Sequence, residues 1–151
     1  MLRDKINEAT KDAMKSGKKL RLSTLRMMSA AIKNADIEAR TGSKGPLGDD
    51  EILGVFQKLI KQRQDSIELY ETGGRAELAK QENDEIDVIK GFMPAQMSEL
   101  EMNAAISEII KKSGAAGIKD MGKVMAALKT TYAGKMDFGK ASSAVKALLA
   151  G

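Results

Sequence analysis

Apolar residues recur at steps of three and four along almost the whole chain, and glycines stand where these steps stop. This spacing places apolar side chains on one face of an α-helix, whereas a half-buried strand would require alternation, which is absent. The sequence therefore predicts an all-α protein. With 151 residues, the chain is long enough to bury a core without disulfide support.

The helical pattern divides at Pro94, because proline interrupts the helical hydrogen-bond ladder and biases the preceding residue away from helix. We predict a larger N-terminal helical domain, residues 1–94, that contains a long helical hairpin, and a C-terminal three-helix domain, residues 95–151. The predicted helices cover about residues 2–16, 19–40, 49–72, 75–93, 98–113, 121–132 and 138–149.

Local signals support several of these boundaries. Ser98 followed by Glu101 forms a capping-box pattern, and Asp49 is expected to cap the third helix. Residues 41–48, TGSKGPLG, are rich in glycine and proline and predict a mobile loop.

The chain contains no cysteine and no histidine. These absences exclude disulfides, thiolate nucleophiles, histidine-based triads and the commonest zinc ligands. No stretch resembles a targeting peptide or a membrane span, so we expect a cytoplasmic protein without a membrane partner. We also expect no catalytic residues, no metal and no cofactor, and a function that depends on binding.

Charge is distributed unevenly along the chain. The formal net charge is +4, with a sequence pI near 9.2, which suits a polyanionic partner. From Ala95 onward, eight lysines outnumber five acidic residues, whereas Asp65–Lys90 holds eight acidic and three basic residues. The last third is therefore basic and the middle acidic.

A short echo marks the two last predicted helices. Residues 120–123, DMGK, return 17 residues later as residues 137–140, DFGK. One interpretation is a pair of phosphate-binding helix starts, in which free N–H groups, glycine and lysine cooperate. The other is that the aspartates are ordinary caps and each glycine admits a neighbouring helix.

Lysine is the only cation after Arg75, which favours contact with phosphates over bidentate reading of guanine edges. The five aromatic residues are scattered, so base stacking is not expected, whereas recognition of folded RNA by its backbone remains open. The candidate RNA-binding residues are Lys119, Gly122, Lys123, Lys129, Lys135, Gly139, Lys140 and Lys146.

Other features have two interpretations. The methionines from Met93 onward either line a groove for a partner helix or fill a small core, and we favour the core. The acidic strip of Glu82, Asp84, Glu85 and Asp87 either holds a cation or is a solvated face, and we favour the solvated face. Arg21, Arg26 and Lys33 either lie on the outside of a helix that packs through its leucines or form a secondary candidate surface, and we favour the first interpretation.

Three segments carry a family resemblance: residues 22–39 (LSTLRMMSAAIKNADIEA), residues 78–97 ending in FMPAQM, and residues 119–128 (KDMGKVMAAL). In these segments the chain resembles the GatB/YqeY family, in particular the stand-alone YqeY type. That type is similar to the tail domain of the B subunit of glutamyl/aspartyl-tRNA amidotransferase.

The resemblance implies an all-α fold of two lobes and contact with tRNA or another structured RNA. It also implies association with an aminoacyl-tRNA synthetase or with amidotransferase subunits. The matching signature positions are Met121, Gly122, Lys123 and Met125. The family carries the label of a carbon-nitrogen ligase with glutamine as amido donor, but the residues here offer no P-loop and no serine-lysine constellation, so we expect no catalysis by this chain alone. The alternatives are a protein-protein adaptor and a participant in amide transfer.

Overall fold

The computed structural model describes residues 1–42 and 45–150, and contains no strand within these ranges. The prediction of an all-α fold is confirmed. The chain forms two compact units, Met1–Met93 and Pro94–Gly151. The helices are α1 (Leu2–Ser16), α2 (Lys19–Thr41), α3 (Asp49–Thr72), α4 (Ala76–Lys90), α5 (Glu99–Ser113), α6 (Met121–Thr131) and α7 (Phe138–Ala150), and a 3₁₀ helix covers Ile118–Asp120.

The helix boundaries lie close to those predicted. α1 has the predicted bounds, and α2 extends one residue further, to Thr41. α4 ends at Lys90, well before Pro94, because the chain turns at residues 91–93. The predicted loop at residues 41–48 falls partly on residues 43 and 44, which lie outside the described residues. The 3₁₀ helix has no counterpart in the prediction.

The expected capping role of Asp49 is wrong. Gly48 precedes α3 in extended conformation, and Asp49 is the first helical residue. Its carboxylate Oδ1 instead accepts a hydrogen bond from the Leu2 N–H at 3.1 Å. Asp49 therefore connects the start of α3 to the start of α1, a long-range contact that local sequence patterns do not reveal.

Asp36 organises the same region. Its two carboxylate oxygens accept hydrogen bonds from Arg3 Nη1 and Nη2 at 2.8 and 2.7 Å, and Oδ1 also accepts one from the Leu47 N–H at 3.0 Å. These donors, with the Arg3 guanidinium first, lower the pKa of Asp36 to about 2. The ionised Asp36 side chain on α2 thus holds both α1 and the segment before α3 by hydrogen bonds.

The N-terminal unit is built around one apolar core. Phe56, Leu25, Met28 and Ile52 are fully buried at its centre, which accounts for the three- and four-residue periodicity of α2 and α3. The remaining buried members of this core are Leu2, Ile6, Ala13, Ile32, Leu53 and Ile89.

The C-terminal unit has its own core, to which α5, α6 and α7 all contribute. The predicted capping box is confirmed, because Ser98 Oγ accepts from the Glu101 N–H and the Glu101 carboxylate accepts from the Ser98 N–H, both at 3.1 Å. Met102 and Met136 are buried, which confirms the core interpretation for these methionines. The other buried members are Ala105, Ile106, Val124, Leu128, Ala141 and Val145. Among the described residues, no helix is both long enough and apolar enough to cross a membrane.

Candidate nucleic-acid interface

Two connections define the ends of the C-terminal unit. At one end, α5 finishes at Ser113 and the 3₁₀ helix leads into α6; at the other, residues 132–137 join α6 to α7. The Met97 N–H donates to the Lys135 carbonyl oxygen at 2.7 Å, which brings the start of α5 to the second end. α7 also contacts the 3₁₀ helix, so its second half approaches the first end.

The lysines of this unit divide between the two ends. We call the first the lysine-rich end, because it carries Lys111, Lys112, Lys119, Lys123 and Lys146 with only Glu108 and Asp120 as acidic residues. We call the second the balanced end, because Lys129, Lys135 and Lys140 stand there with Glu99, Glu101 and Asp137. The formal charge is therefore +3 at the lysine-rich end and 0 at the balanced end, so the whole surplus of the last third lies at one end.

Few of these cations are neutralised locally. No carboxylate oxygen of the described residues lies within 4.0 Å of the Nζ atoms of Lys119, Lys123 or Lys146. All three side chains are exposed. Lys112 is the exception: its Nζ lies 2.8 Å from Glu108, and this contact lowers the pKa of the Glu108 carboxyl. Lys123 Nζ donates to a neutral acceptor, the Ser113 carbonyl oxygen, at 3.4 Å. The lysine-rich end therefore keeps most of its positive charge.

The partial charges of the helix dipoles are too small to cancel the positive charge of the lysine-rich end. One helix start and two helix ends meet at the lysine-rich end, which corresponds to a partial charge of roughly −0.5. The formal +3 of the side chains exceeds this several-fold, so the field at that end remains positive.

The echoed helix starts do not form one site. α6 begins at the lysine-rich end and α7 at the balanced end, so the structure separates Gly122 and Lys123 from Gly139 and Lys140. The two aspartates also differ. Asp137 Oδ1 accepts from the Gly139 and Lys140 N–H groups at 2.9 and 3.2 Å, whereas Asp120 Oδ2 accepts from the Ala116 N–H at 3.0 Å and does not cap α6.

The glycines of the echo do not admit neighbouring helices, so this part of the capping interpretation is wrong. A Cβ at Gly122 would meet no atom within 4 Å, and a Cβ at Gly139 would lie 3.1 Å from Oδ1 of its own cap, Asp137. Gly122 is exposed at the lysine-rich end, next to Lys123. Its backbone is therefore accessible there.

The echo also extends beyond its first four positions. Lys129 and Lys146 repeat at the same 17-residue spacing, and so do the buried residues before them, Leu128 and Val145. Both helices therefore bury the same face of the same pattern. The 17-residue repeat therefore extends from the exposed helix starts to the buried faces of both helices.

The acidic strip of α4 lies in the N-terminal unit, and its interpretation as a solvated face is wrong for two of its members. Arg63 Nε of α3 lies 3.0 Å from Glu85 and 3.8 Å from Glu82. Only 13% of the Arg63 side chain is exposed, so the contact is largely buried. Burial, and then repulsion by Glu85, raises the pKa of Glu82. The described part of the chain contains no group of acidic residues arranged to hold a metal ion.

These observations define an all-α protein of two helical units, in which a lysine-rich end of the C-terminal bundle is the candidate interface. The family model for the YqeY-like proteins matches residues 3–149, and the chain belongs to this family.

Relatives of this chain include mitochondrial proteins of yeasts. The protein named altered inheritance of mitochondria protein 41, mitochondrial, from Lachancea thermotolerans is 34% identical over 108 residues, which cover 70% of this chain and 56% of the relative. Its namesake from Vanderwaltozyma polyspora is 28% identical over 122 residues, which cover 77% of this chain and 64% of the relative. An uncharacterized protein of Schizosaccharomyces pombe is 32% identical over 95 residues, or 63% of this chain and 74% of that protein. The chain thus matches only part of the length of the first two relatives.

Proposed function

We propose that this protein is a non-catalytic accessory module that binds tRNA or another structured RNA through the lysine-rich end of its C-terminal unit. The observation that supports this proposal is the formal +3 charge of that end, most of which has no carboxylate partner. A cationic surface suits any polyanion, and the resemblance to the tail domain of a tRNA amidotransferase subunit favours RNA as that partner.

The chemistry of the surface suits a phosphate backbone. Lysine ammonium groups are compact charges that contact phosphates without the planar geometry needed to read base edges. Tyr132 and Phe138 pack against the C-terminal core, so they do not provide a platform for stacked bases. Recognition is therefore proposed to depend on the shape and charge of folded RNA. An aminoacyl-tRNA synthetase or amidotransferase subunits are the proposed protein partners of the complex.

The test is a salt series of binding to labelled tRNA with two matched variants. One variant carries Lys119→Gln, Lys123→Gln and Lys146→Gln at the lysine-rich end, and the control carries Lys129→Gln, Lys135→Gln and Lys140→Gln at the balanced end. Both lose three charges, so a general effect of net charge appears equally in both. The slope of log affinity against log salt is expected to fall by about 2 to 3 in the first variant only, since each phosphate contact contributes about 0.7 to 0.9.

Negligible binding of the unaltered protein at low salt would refute the proposal, and equal effects of the two variants would refute the assignment to the lysine-rich end. Incubation of the purified chain with glutamine and mischarged tRNA tests the non-catalytic part. We expect no amide transfer, and measurable conversion would contradict this expectation.

A further inference from the structure

The turn between α1 and α2 carries a second concentration of positive charge. Residues 11–21, KDAMKSGKKLR, contain five basic residues and a single acidic one, Asp12. Two of the five have partners: Lys11 lies 3.6 Å from Glu8, and the Arg21 guanidinium lies 5.8 Å from the ring centroid of Phe92. The other three, Lys15, Lys18 and Lys19, form what we call the turn cluster.

The turn holds these three lysines close together. Gly17 ends α1 in the left-handed conformation, with φ of 68°, which favours glycine because it has no Cβ. The Lys18 N–H then donates to the Ala13 carbonyl oxygen at 3.2 Å, which folds Lys18 back onto the end of α1. Lys19 follows Lys15 by only four positions, so the three charged side chains start from one compact turn.

The turn cluster is exposed and unneutralised. All three side chains are solvent-exposed, and none of the described carboxylates forms an ion pair with them. The first turn of α2 contains no acidic residue, and Lys15 stands in the last turn of α1. The N-terminal unit therefore presents a local positive surface, although the stretch that follows in α3 and α4 is acidic.

We propose that the turn cluster is a second contact with the same RNA, so that each of the two units supplies one cationic surface. This inference rests on the proposed function and adds to it a partner site in the N-terminal unit. Charge complementarity identifies the occupant: three exposed lysines on one turn, none of them in an ion pair with a described carboxylate, match the repeating phosphates of a polynucleotide. Within residues 11–21, arginine occurs once, and the Arg21 guanidinium lies over the Phe92 ring. The turn cluster itself consists of lysines, which contact phosphates as point charges and do not bind base edges in a bidentate way.

The experiment compares two variants of the full chain in the tRNA salt series. The test variant carries Lys15→Gln, Lys18→Gln and Lys19→Gln; the control carries Lys58→Gln, Lys61→Gln and Lys90→Gln, three exposed lysines of the same unit. Circular dichroism verifies that both are folded. The salt slope of the test variant should fall by about 2 to 3, while that of the control stays close to the unaltered protein. Between about 50 and about 200 mM salt, the unaltered protein should then lose about 15- to 65-fold more affinity than the test variant.

The outcomes separate this inference from the proposed function. If the unaltered protein binds tRNA and the test variant keeps the same salt slope, the turn cluster does not contact RNA, and this inference alone is overturned. An equal fall of the salt slope in the test and control variants would also overturn it. No binding by the unaltered protein would overturn both proposals.

Met14 and Leu20, with 57% and 37% exposure, lie beside the turn cluster and would also suit a lipid surface. Sedimentation with phosphatidylserine vesicles tests that alternative: vesicle binding that needs these lysines, without any effect on tRNA, would overturn the assignment to RNA.

Discussion

Replacing Arg63 by methionine removes the cation between Glu82 and Glu85 and retains an unbranched side chain of similar reach. The side chains of Arg63, Glu82 and Glu85 are 13%, 22% and 16% exposed. The substitution therefore leaves two neighbouring carboxylates that water screens only in part. Arg63 also donates to the Met27 sulfur and to the Leu59 carbonyl oxygen, so α2 loses a contact as well.

Loss of one partner from a fully buried ion pair costs about 3 to 5 kcal/mol. Because these groups retain some exposure, we expect Arg63→Met to lower the free energy of unfolding by about 2 to 3 kcal/mol. Arg75→Met is the matched control, since Arg75 Nε lies 2.9 Å from Glu77 but the side chains are 61% and 67% exposed. An exposed pair of this kind contributes little to stability, because water screens the two charges.

The assay is urea unfolding followed by circular dichroism, at neutral pH and again at mildly acidic pH. Removal of Arg63 takes away the contact that lowers the pKa of Glu82, which burial and Glu85 already raise. A raised carboxyl pKa means a penalty that is present above the folded-state pKa and disappears as the group takes up a proton. The deficit of Arg63→Met should therefore shrink at acidic pH. A deficit no larger than that of Arg75→Met, or one that grows on acidification, would refute this reasoning.

Two further predictions follow from backbone geometry and from Asp36. Gly122→Ala should raise stability by about 0.5 to 1 kcal/mol, because the added Cβ meets open space in a helix, whereas Gly114→Ala should lower it by about 1 to 2 kcal/mol, because Gly114 has a φ of 68°. Thermal unfolding of both variants checks this, and a loss of stability in Gly122→Ala would contradict it. The pKa of Asp36 falls from 3.8 to about 2, so its contribution to stability is present above the unfolded value and is lost as pH falls through about 2. Asp36→Asn should abolish that part of the acid dependence in urea titrations, and an unchanged dependence would show that Asp36 is not its source.

Local sequence patterns predict where the helices begin and end, but they do not predict which side chains join one helix to another. The bounds of α1 and the cap at Ser98 depend on residues within one turn, so the sequence predicts them directly. The sequence predicts a local capping role for Asp49, but its carboxylate accepts a hydrogen bond from the Leu2 N–H, 47 residues earlier. The sequence likewise predicts that Glu82 and Glu85 face solvent, but Arg63 of α3 lies beside both. Such partners depend on how helices pack, which no single segment encodes.

At the candidate interface too, a sequence motif does not show which residues lie together in the fold. The reason applies to helical bundles in general. A motif that recurs at the start of two consecutive helices joined by a short connection recurs at opposite ends of the bundle, because neighbouring helices run in opposite directions. The echo of residues 120–123 and 137–140 could therefore never form a single site, although its composition suggested one. The residues that do meet are those at the end of one helix and the start of the next. Lys111 and Lys112 accordingly join Lys119 and Lys123, and charge in such a bundle is better counted by its ends than along its sequence.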